Sequence, residues 1–340
     1  MTTSRLMRNA GPRAMRGVTL IELMVALVLG LVVAGAAMAV FLVNRQTYLA
    51  TENIGRLQEN ARTAFELMAQ DIRAAGMIPC SNEISTTAQS LNNVVASTEW
   101  WTAHGTGATP AQQWETTSFL GYSNANGDAL QLIAAIPPAV VPTVVTDAPA
   151  AGTLPMDLKV NSVDGIDAGD LLLVCDYGSS TPKRSPQGAL FQATSAAGTT
   201  INISETGSPG NAAGGVSMFK FDAPQEPQPN GVVSKLRPTR WYIGDNTRGG
   251  KSLFRSRLVN AAGALSIAED EIVANADDMD LAYLVSGASS YVAAAAVPAA
   301  SWSKVVAVRI RLHMTGVDRV DGAQVERTLE HVVAVRNRVL

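Results

Sequence analysis

The longest apolar run of the chain lies near its N-terminus, where residues 18–43 contain a single charged residue, Glu22. As a helix rising about 1.5 Å per residue, this run exceeds the roughly 30 Å hydrocarbon core of a bilayer. Four arginines precede it within residues 1–17, which contain no acidic residue. Because basic residues flank the cytoplasmic ends of membrane helices, the pattern predicts a membrane span with residues 1–17 in the cytoplasm and the remainder outside.

The apolar pattern then changes to steps of three or four residues. The positions concerned are Ile54, Leu57, Ala61, Phe65, Met68 and Ile72. This spacing predicts an amphipathic helix that continues the membrane segment over residues 44–78. We therefore expect one helix from Val18 to about Ala75, ended by Gly76 and Pro79.

The remainder, residues 79–340, alternates strand-like segments with turn-forming clusters. The predicted strands are 128–136, 170–175, 189–194, 200–203, 216–221, 240–243, 252–258, 280–285, 304–314 and 325–339. The pattern as a whole predicts an α+β fold. In it, a long N-terminal helix, half in the membrane and half amphipathic, packs on one continuous β-strand-rich head outside the cytoplasm.

Composition narrows the class of protein. Hydrophobic residues make up 47% of the chain, which is enough for a sizeable core. The formal net charge is −3, and the arginines of residues 1–17 leave the head still more acidic. The head therefore has no basic surface for nucleic acid, and we expect no nucleic-acid partner.

Three interpretations of the N-terminal segment compete: a cleaved secretory signal, a permanent anchor, and a leader removed on the cytoplasmic side. Residues 37–39 offer a secretory cleavage site, but the apolar run begins with an acid and continues past that site. A permanent anchor leaves Glu22 unexplained, because a carboxylate at the centre of a membrane helix costs about 2.5–3.5 kcal/mol.

Residues 16–23, with the sequence RGVTLIEL, resemble the processing site of type IV prepilins and pseudopilins. The resemblance implies that a prepilin peptidase cuts after Gly17 and methylates Val18, the first mature residue. The family usually has phenylalanine at the position of Val18. It also implies that Glu22 pairs with the α-amino group of a subunit in the filament, since an unpaired charge in an apolar helix bundle is very costly.

Ala26, Gly30 and Ala34 recur at four-residue spacing within the predicted membrane helix. They form a smooth stripe on which another helix could approach closely. Ordinary membrane-helix composition explains the same residues equally well.

Several stretches of the head resemble minor pilins of the PilW type. They are residues 71–76 leading into Cys80, 127–132, 169–175, 241–243 and 334–338. The resemblance implies a minor pilin that takes part in type IV pilus assembly, priming or stabilising the filament near its tip. It also implies an inner-membrane location with a periplasmic head, followed by a place in the cell-surface pilus.

The partners implied are the prepilin peptidase, other minor pilins, the major pilin, the inner-membrane assembly platform, and membrane lipid before assembly. One alternative is a minor pseudopilin of a type II secretion system, which has the same N-terminal sequence features. An alternative of another class is an uncleaved, membrane-anchored periplasmic binding protein or hydrolase.

The chain has two cysteines, Cys80 and Cys175, and neither lies in a zinc-type cluster. In an oxidising exterior we expect them to form one disulfide that ties the end of the helix to a strand. Two unpaired thiols are the alternative.

Patterns typical of catalysis are weak. Residues 245–252 match a phosphate-binding loop except for its first glycine, but the flanking segments predict a hairpin. The histidines, His104, His313 and His331, lack zinc-ligand spacing. We therefore predict no enzyme, no cofactor and no metal.

Two further clusters have ordinary explanations. Residues 277–280 contain three aspartates, but a calcium-binding loop does not follow, so we predict a solvated acidic turn. A cluster of tryptophans in a polar segment predicts either an adhesive surface or a buried aromatic group; its members are Trp100, Trp101 and Trp114.

Overall fold

The structure of the chain is a computed structural model. The described residues are 17–76, 90–103, 113–114, 117–138, 140–143, 154–176, 179–180, 183–184, 187–212, 231–320 and 322–335.

One long helix, α1 (Leu20–Ala74), begins the described chain. Its first half is exposed throughout, whereas its second half buries one face that starts at Asn53. The helix ends because Ala75 turns to extended backbone and Gly76 adopts a φ of 70°. The N–H of Gly76 then donates to the carbonyl oxygen of Ile133 over 3.0 Å. The single helix predicted from the apolar pattern is confirmed.

Seventeen strands follow in the described residues. They are β1 (Ser90–Asn93), β2 (Phe119–Asn124), β3 (Gly127–Ile136), β4 (Met156–Lys159), β5 (Leu171–Asp176), β6 (Ser179–Ser180), β7 (Lys183–Arg184), β8 (Gln187–Gln192), β9 (Ser195–Ala197), β10 (Thr200–Ile203), β11 (Gly231–Asp245), β12 (Lys251–Ala261), β13 (Ala264–Ala274), β14 (Ala276–Val285), β15 (Val292–Ala293), β16 (Val305–Val320) and β17 (Ala323–Ala334). Short 3₁₀ turns occur at Trp100–Thr102, Ala294–Ala296 and Ala299–Lys304.

The main sheet is organised around β11, the longest strand among the eight that form it in the described chain. The first residues of β11 pair with β5, its middle pairs with β3, and its last residues pair with β12, all antiparallel. Six strands of the sheet follow the order β1-β8-β5-β11-β12-β13, while β3 also pairs with β11 and β2 pairs with β3. A second sheet has the order β15-β14-β16-β17.

The buried half of α1 packs against both sheets. Its residues Ala64, Met68 and Ile72 share one apolar cluster with Trp241 of β11 and Leu312 of β16. Two other clusters fill the far side of the main sheet and the small β4-β10-β9 sheet. The α+β prediction, a long helix on a strand-rich head, is therefore confirmed.

The nine predicted strands that fall within the described residues are present, but β11 begins nine residues earlier than predicted and β16 ends six residues later. The prediction missed several short strands and one long strand, β13. Strand β13 alternates small, charged and apolar residues and leaves much of its surface exposed. The predicted strand 216–221 lies outside the described residues. The prediction of an acidic turn at residues 277–280 is wrong, because these residues belong to β14 and pair with β16.

Candidate functional site

A short segment leads from the predicted cleavage point into α1. Gly17, Val18 and Thr19 are exposed and precede the first helical residue. A Cβ atom built on Gly17 would meet nothing within 4 Å. The Gly17–Val18 bond therefore lies outside the helices and strands of the described chain.

Thr19 and Glu22 form a reciprocal capping box at the start of α1. The backbone N–H of Glu22 donates to Thr19 Oγ1 over 3.3 Å. In return, the backbone N–H and the hydroxyl of Thr19 donate to Glu22 Oε2 over 3.0 and 3.1 Å. Two N–H groups that a helix start leaves without helical partners are thereby satisfied. The carboxylate is held at the end of the helix where the predicted mature chain begins.

The role of Thr19 was missed from the sequence, although its signal was present. A threonine three residues before an acid, ahead of an apolar run, is the sequence signature of a capping box. Glu22 therefore has a local partner within one chain. Its pairing with another subunit stays a prediction.

The first half of α1 exposes apolar side chains on every face. Leu20, Leu31 and Phe41 are 76%, 65% and 63% exposed. Gly30 and its stripe neighbours Ala26 and Ala34 lie in this half, where a Cβ atom on Gly30 would meet nothing within 4 Å. The helix is long and apolar enough to cross a membrane, and none of that apolar stretch is buried.

The last turn of α1 is held to the head by a polar contact. Asp71 Oδ2 accepts a hydrogen bond of 3.0 Å from the indole Nε1 of Trp241, which is fully buried on β11. The guanidinium of Arg255 lies 4.0 Å from the same oxygen. Burial raises the pKa of the Asp71 carboxyl, while the charge of Arg255, the indole N–H and the charge of Arg237 act in the opposite direction. The junction thus combines one partly buried carboxylate with an aromatic donor and two cations.

Two comparisons with known families match the regions just described. Residues 12–38 match the family described as Prokaryotic N-terminal methylation motif. Residues 240–337 match the family described as Type IV Pilus-assembly protein W. The chain is similar to PilW-type minor pilins. No curated protein and no solved structure matches the chain.

Both matches fall on structurally informative parts of the PilW-like chain. The first contains the Gly17–Val18 bond and Glu22. The second runs from the latter part of β11 to the residues just after β17, and so includes Trp241 and the whole second sheet. The resemblance predicted from sequence is confirmed.

The methylation motif and the exposed apolar helix together support a membrane-anchored protein associated with the type IV pilus. The motif implies processing by a peptidase and assembly with other pilins of that system.

The two cysteines of the PilW-like chain are only partly described. Cys175 is fully buried on β5, in the core on the far side of the main sheet. Cys80 lies outside the described residues. The Cys80–Cys175 disulfide stays a prediction.

The segment that resembles a phosphate-binding loop is a hairpin turn between β11 and β12. Asn246 closes the turn, because its Oδ1 accepts from the backbone N–H groups of Arg248 and Gly250 over 2.9 and 3.1 Å. Strand Lys251–Ala261 follows where a phosphate-binding loop requires a helix. The hairpin predicted from the flanking segments is confirmed.

Aromatic and histidine side chains lie in several separate places. Trp101 and Trp114 are buried in the core, in agreement with the prediction of a buried aromatic group. Trp100 stacks on the guanidinium of Arg240, which lies 4.1 Å from the ring centroid. His331 stacks on Phe65 of α1 with ring centroids 5.3 Å apart. His104 lies outside the described residues. His313 is on β16 beside Asp280.

Proposed function

We propose that this protein is a minor pilin that is cut at Gly17–Val18, waits in the inner membrane, and then primes or stabilises a type IV pilus near its tip. The observation that carries the proposal is the continuity of α1. Among the described residues, no segment covers its apolar half, whereas its second half packs into the head.

Residues 18–43 expose too much apolar surface to remain in water. Lipid would cover this surface before assembly, and the helices of other minor pilins and of the major pilin would cover it in the filament. The stripe of Ala26, Gly30 and Ala34 would allow close approach of such a helix. An inner-membrane assembly platform would then extract the subunit from the bilayer.

Glu22 would guide this assembly through its charge. After cleavage, the new α-amino group belongs to Val18, the residue before the capping threonine. The capping box holds the Glu22 carboxylate at the same end of the helix. In an apolar helix bundle, a carboxylate without a cation is costly, so pairing with the amino group of a neighbouring subunit would select one axial register.

The role at the tip rests on the resemblance to PilW-type minor pilins. A minor pseudopilin of a type II secretion system would use the same N-terminal features, and the genes beside this one distinguish the two machines. An uncleaved anchored binding protein or hydrolase differs in its N-terminus. We favour a structural role over an enzymatic one, because the chemistry of α1 is that of helix packing.

The proposal is tested by identifying the N-terminal residue of the membrane protein and by studying one matched variant. Mass spectrometry is expected to find a peptide that begins at methylated Val18. Gly17→Val is expected to retain the leader and to fail in filament assembly while leaving the head folded, because its side chain would meet no other atoms. A retained Met1 in the wild-type protein would contradict the proposal.

A further inference from the structure

Three side chains that commonly bind metals meet on the second sheet. Asp278 and Asp280 lie on β14, and His313 lies on β16. Their ligand atoms all lie within 4.8 Å of one another. The buried residues Met279 and Leu281 alternate with the two aspartates and point into the core shared with α1. The three side chains are therefore on the opposite, outer face of the sheet.

The register of the sheet brings these residues together. Asp278 is directly opposite His313 in the antiparallel ladder, and Asp280 is two residues along the same strand. Cross-strand neighbours and alternate residues on one face are the pairs whose side chains can meet. Because the ligands come from two strands, no spacing pattern in the sequence indicated the cluster.

The separations suit a shared cation. His313 Nε2 and Asp280 Oδ2 are 2.9 Å apart. Two ligand atoms that each lie about 2.0–2.1 Å from a tetrahedral zinc ion are about 3.3 Å apart. Replacement of the proton between imidazole and carboxylate by a cation therefore requires only a small side-chain movement.

Two of the three side chains are held in position by their surroundings. The Nδ1 atom of His313 is 3.0 Å from the hydroxyl oxygen of Thr328, an outer hydrogen bond of the kind that orients metal-binding histidines. Asp278 Oδ1 accepts from the N–H of Met279 over 2.8 Å. The same oxygen lies against Gly127, where any Cβ atom would overlap it. The imidazole therefore directs Nε2 toward Asp280.

The charges around the cluster leave its negative charge largely uncompensated. Arg311 is opposite Asp280 in the ladder, but its Nε donates to Glu330 over 2.7 Å. Within the described part of the chain, Asp278 has no ion pair with a lysine or arginine. Among the described residues, His313 Nε2 is thus the only side-chain nitrogen of a histidine, lysine or arginine within 4.0 Å of a carboxylate oxygen of Asp278 or Asp280.

We propose that Asp278, Asp280 and His313 bind a divalent transition-metal ion of the zinc type, with water in the remaining positions. One nitrogen and two carboxylate ligands suit such an ion, whereas calcium and magnesium are bound by oxygen ligands alone. The ion would cross-link β14 to β16 on the outer face of the head. This proposal is independent of the proposed role in the pilus.

The test uses the full chain, without a polyhistidine tag, in detergent micelles and after removal of metal by a chelator. Calorimetric titration with Zn²⁺ is expected to show one ion per chain, and Co²⁺ is expected to give the visible absorption of a low-coordinate site. His313→Gln and Asp280→Asn are each expected to weaken Zn²⁺ binding at least tenfold.

Two matched variants control for unspecific binding. His331→Phe removes an imidazole from the same sheet but preserves the stacking on Phe65, and Asp157→Asn removes a surface carboxylate from another sheet. Both should bind Zn²⁺ like the wild type.

Equal Zn²⁺ affinity of His313→Gln and the wild-type protein would overturn the proposal, as would the lack of saturable binding by the wild type. The side chains of His313 and Asp280 are 38% and 55% exposed, so folding should tolerate either change. If His313→Gln nevertheless fails to fold, Asp280→Asn alone decides the question by the same criterion.

Discussion

The indole Nε1 of Trp241 donates a hydrogen bond to Oδ2 of Asp71 over 3.0 Å, although 170 residues separate the two in the chain. Asp71 belongs to the last turn of α1, and Trp241 is on the central strand of the main sheet. The bond therefore joins the end of the assembly helix to the head.

Trp241→Phe should destabilise the head by about 1–2 kcal/mol, because a partly buried carboxylate loses a hydrogen-bond donor. Urea unfolding of the full chain in micelles measures the change. A double-mutant cycle with Asp71→Ala should give a coupling of at least about 0.5 kcal/mol, as expected for residues in direct contact. Strictly additive effects of the two substitutions would show that the hydrogen bond does not stabilise the junction.

Asp71 should also make the stability of the head depend on pH. Burial raises the pKa of Asp71 in the folded protein, so the folded state binds its proton more tightly than the unfolded state does. This contribution is fully present below the ordinary aspartate pKa of about 3.9 and is lost as pH rises through the raised pKa.

The comparison with Asp71→Asn isolates this effect, because all other groups titrate in both proteins. The stability of the wild type relative to Asp71→Asn should fall as pH rises through that window, measured by urea unfolding at each pH. A difference that is constant or increases with pH would show that the pKa of Asp71 is not raised.

Glu22→Ala is expected to preserve membrane insertion and to abolish incorporation into filaments. Immunoblots of membranes and of sheared pili measure the two outcomes. Normal incorporation of the variant would contradict the role of Glu22 in registration.

Thr19→Ala separates this role from helix capping. It removes the capping hydroxyl but keeps the carboxylate, at a cost to the helix of about 0.5–2 kcal/mol. Incorporation should persist in Thr19→Ala and be lost in Glu22→Ala. Equal loss in both variants would mean that Glu22 acts only through the capping box.

Gly121→Ala should destabilise the head by about 1–3 kcal/mol, because the new methyl group would overlap the buried hydroxyl of Tyr283. Adding Tyr283→Phe should recover little of the loss, because the methyl group would also overlap the ring carbons Cζ and Cε2, which phenylalanine keeps. Thermal unfolding of the single and double variants measures both effects.

Gly55→Ala is the matched control. A Cβ atom at Gly55 meets nothing within 4 Å on the exposed side of α1, so alanine should stabilise the helix by about 1 kcal/mol. A Gly121→Ala variant as stable as the wild type would mean that the core relaxes around Tyr283.

The predicted disulfide between Cys80 and Cys175 can be tested in the exported protein. Alkylation without reductant should label neither cysteine, because the proposed periplasmic location of the head favours the bridge. Labelling should appear after reduction and denaturation, as read by peptide mass spectrometry. Labelling of both cysteines in the denatured, unreduced protein would exclude the bridge.

Local features of the chain could be derived from the sequence because their causes are local. The helix follows from the apolar run of residues 18–43 and from the three-to-four spacing up to Ile72. The hairpin at Asn246–Gly250 follows from turn-forming residues between two strand-like segments. The processing motif is likewise contiguous, so it could be recognised without any tertiary contact. The capping box of Thr19 and Glu22 also has a local sequence signature, although the sequence analysis did not predict it.

Contacts between distant segments depended on the tertiary structure. The bond between Asp71 and Trp241, and the cluster of Asp278, Asp280 and His313, join residues whose positions depend on strand order and register. A shift of one residue in the pairing of β14 with β16 would place the side chains of one strand on the opposite face. Side-chain packing across the whole sheet sets that register, and no short stretch of sequence contains this information. The N-terminal segment therefore indicated a prepilin-like protein, whereas the long-range register of the head determined its junction with the helix and the proposed metal site.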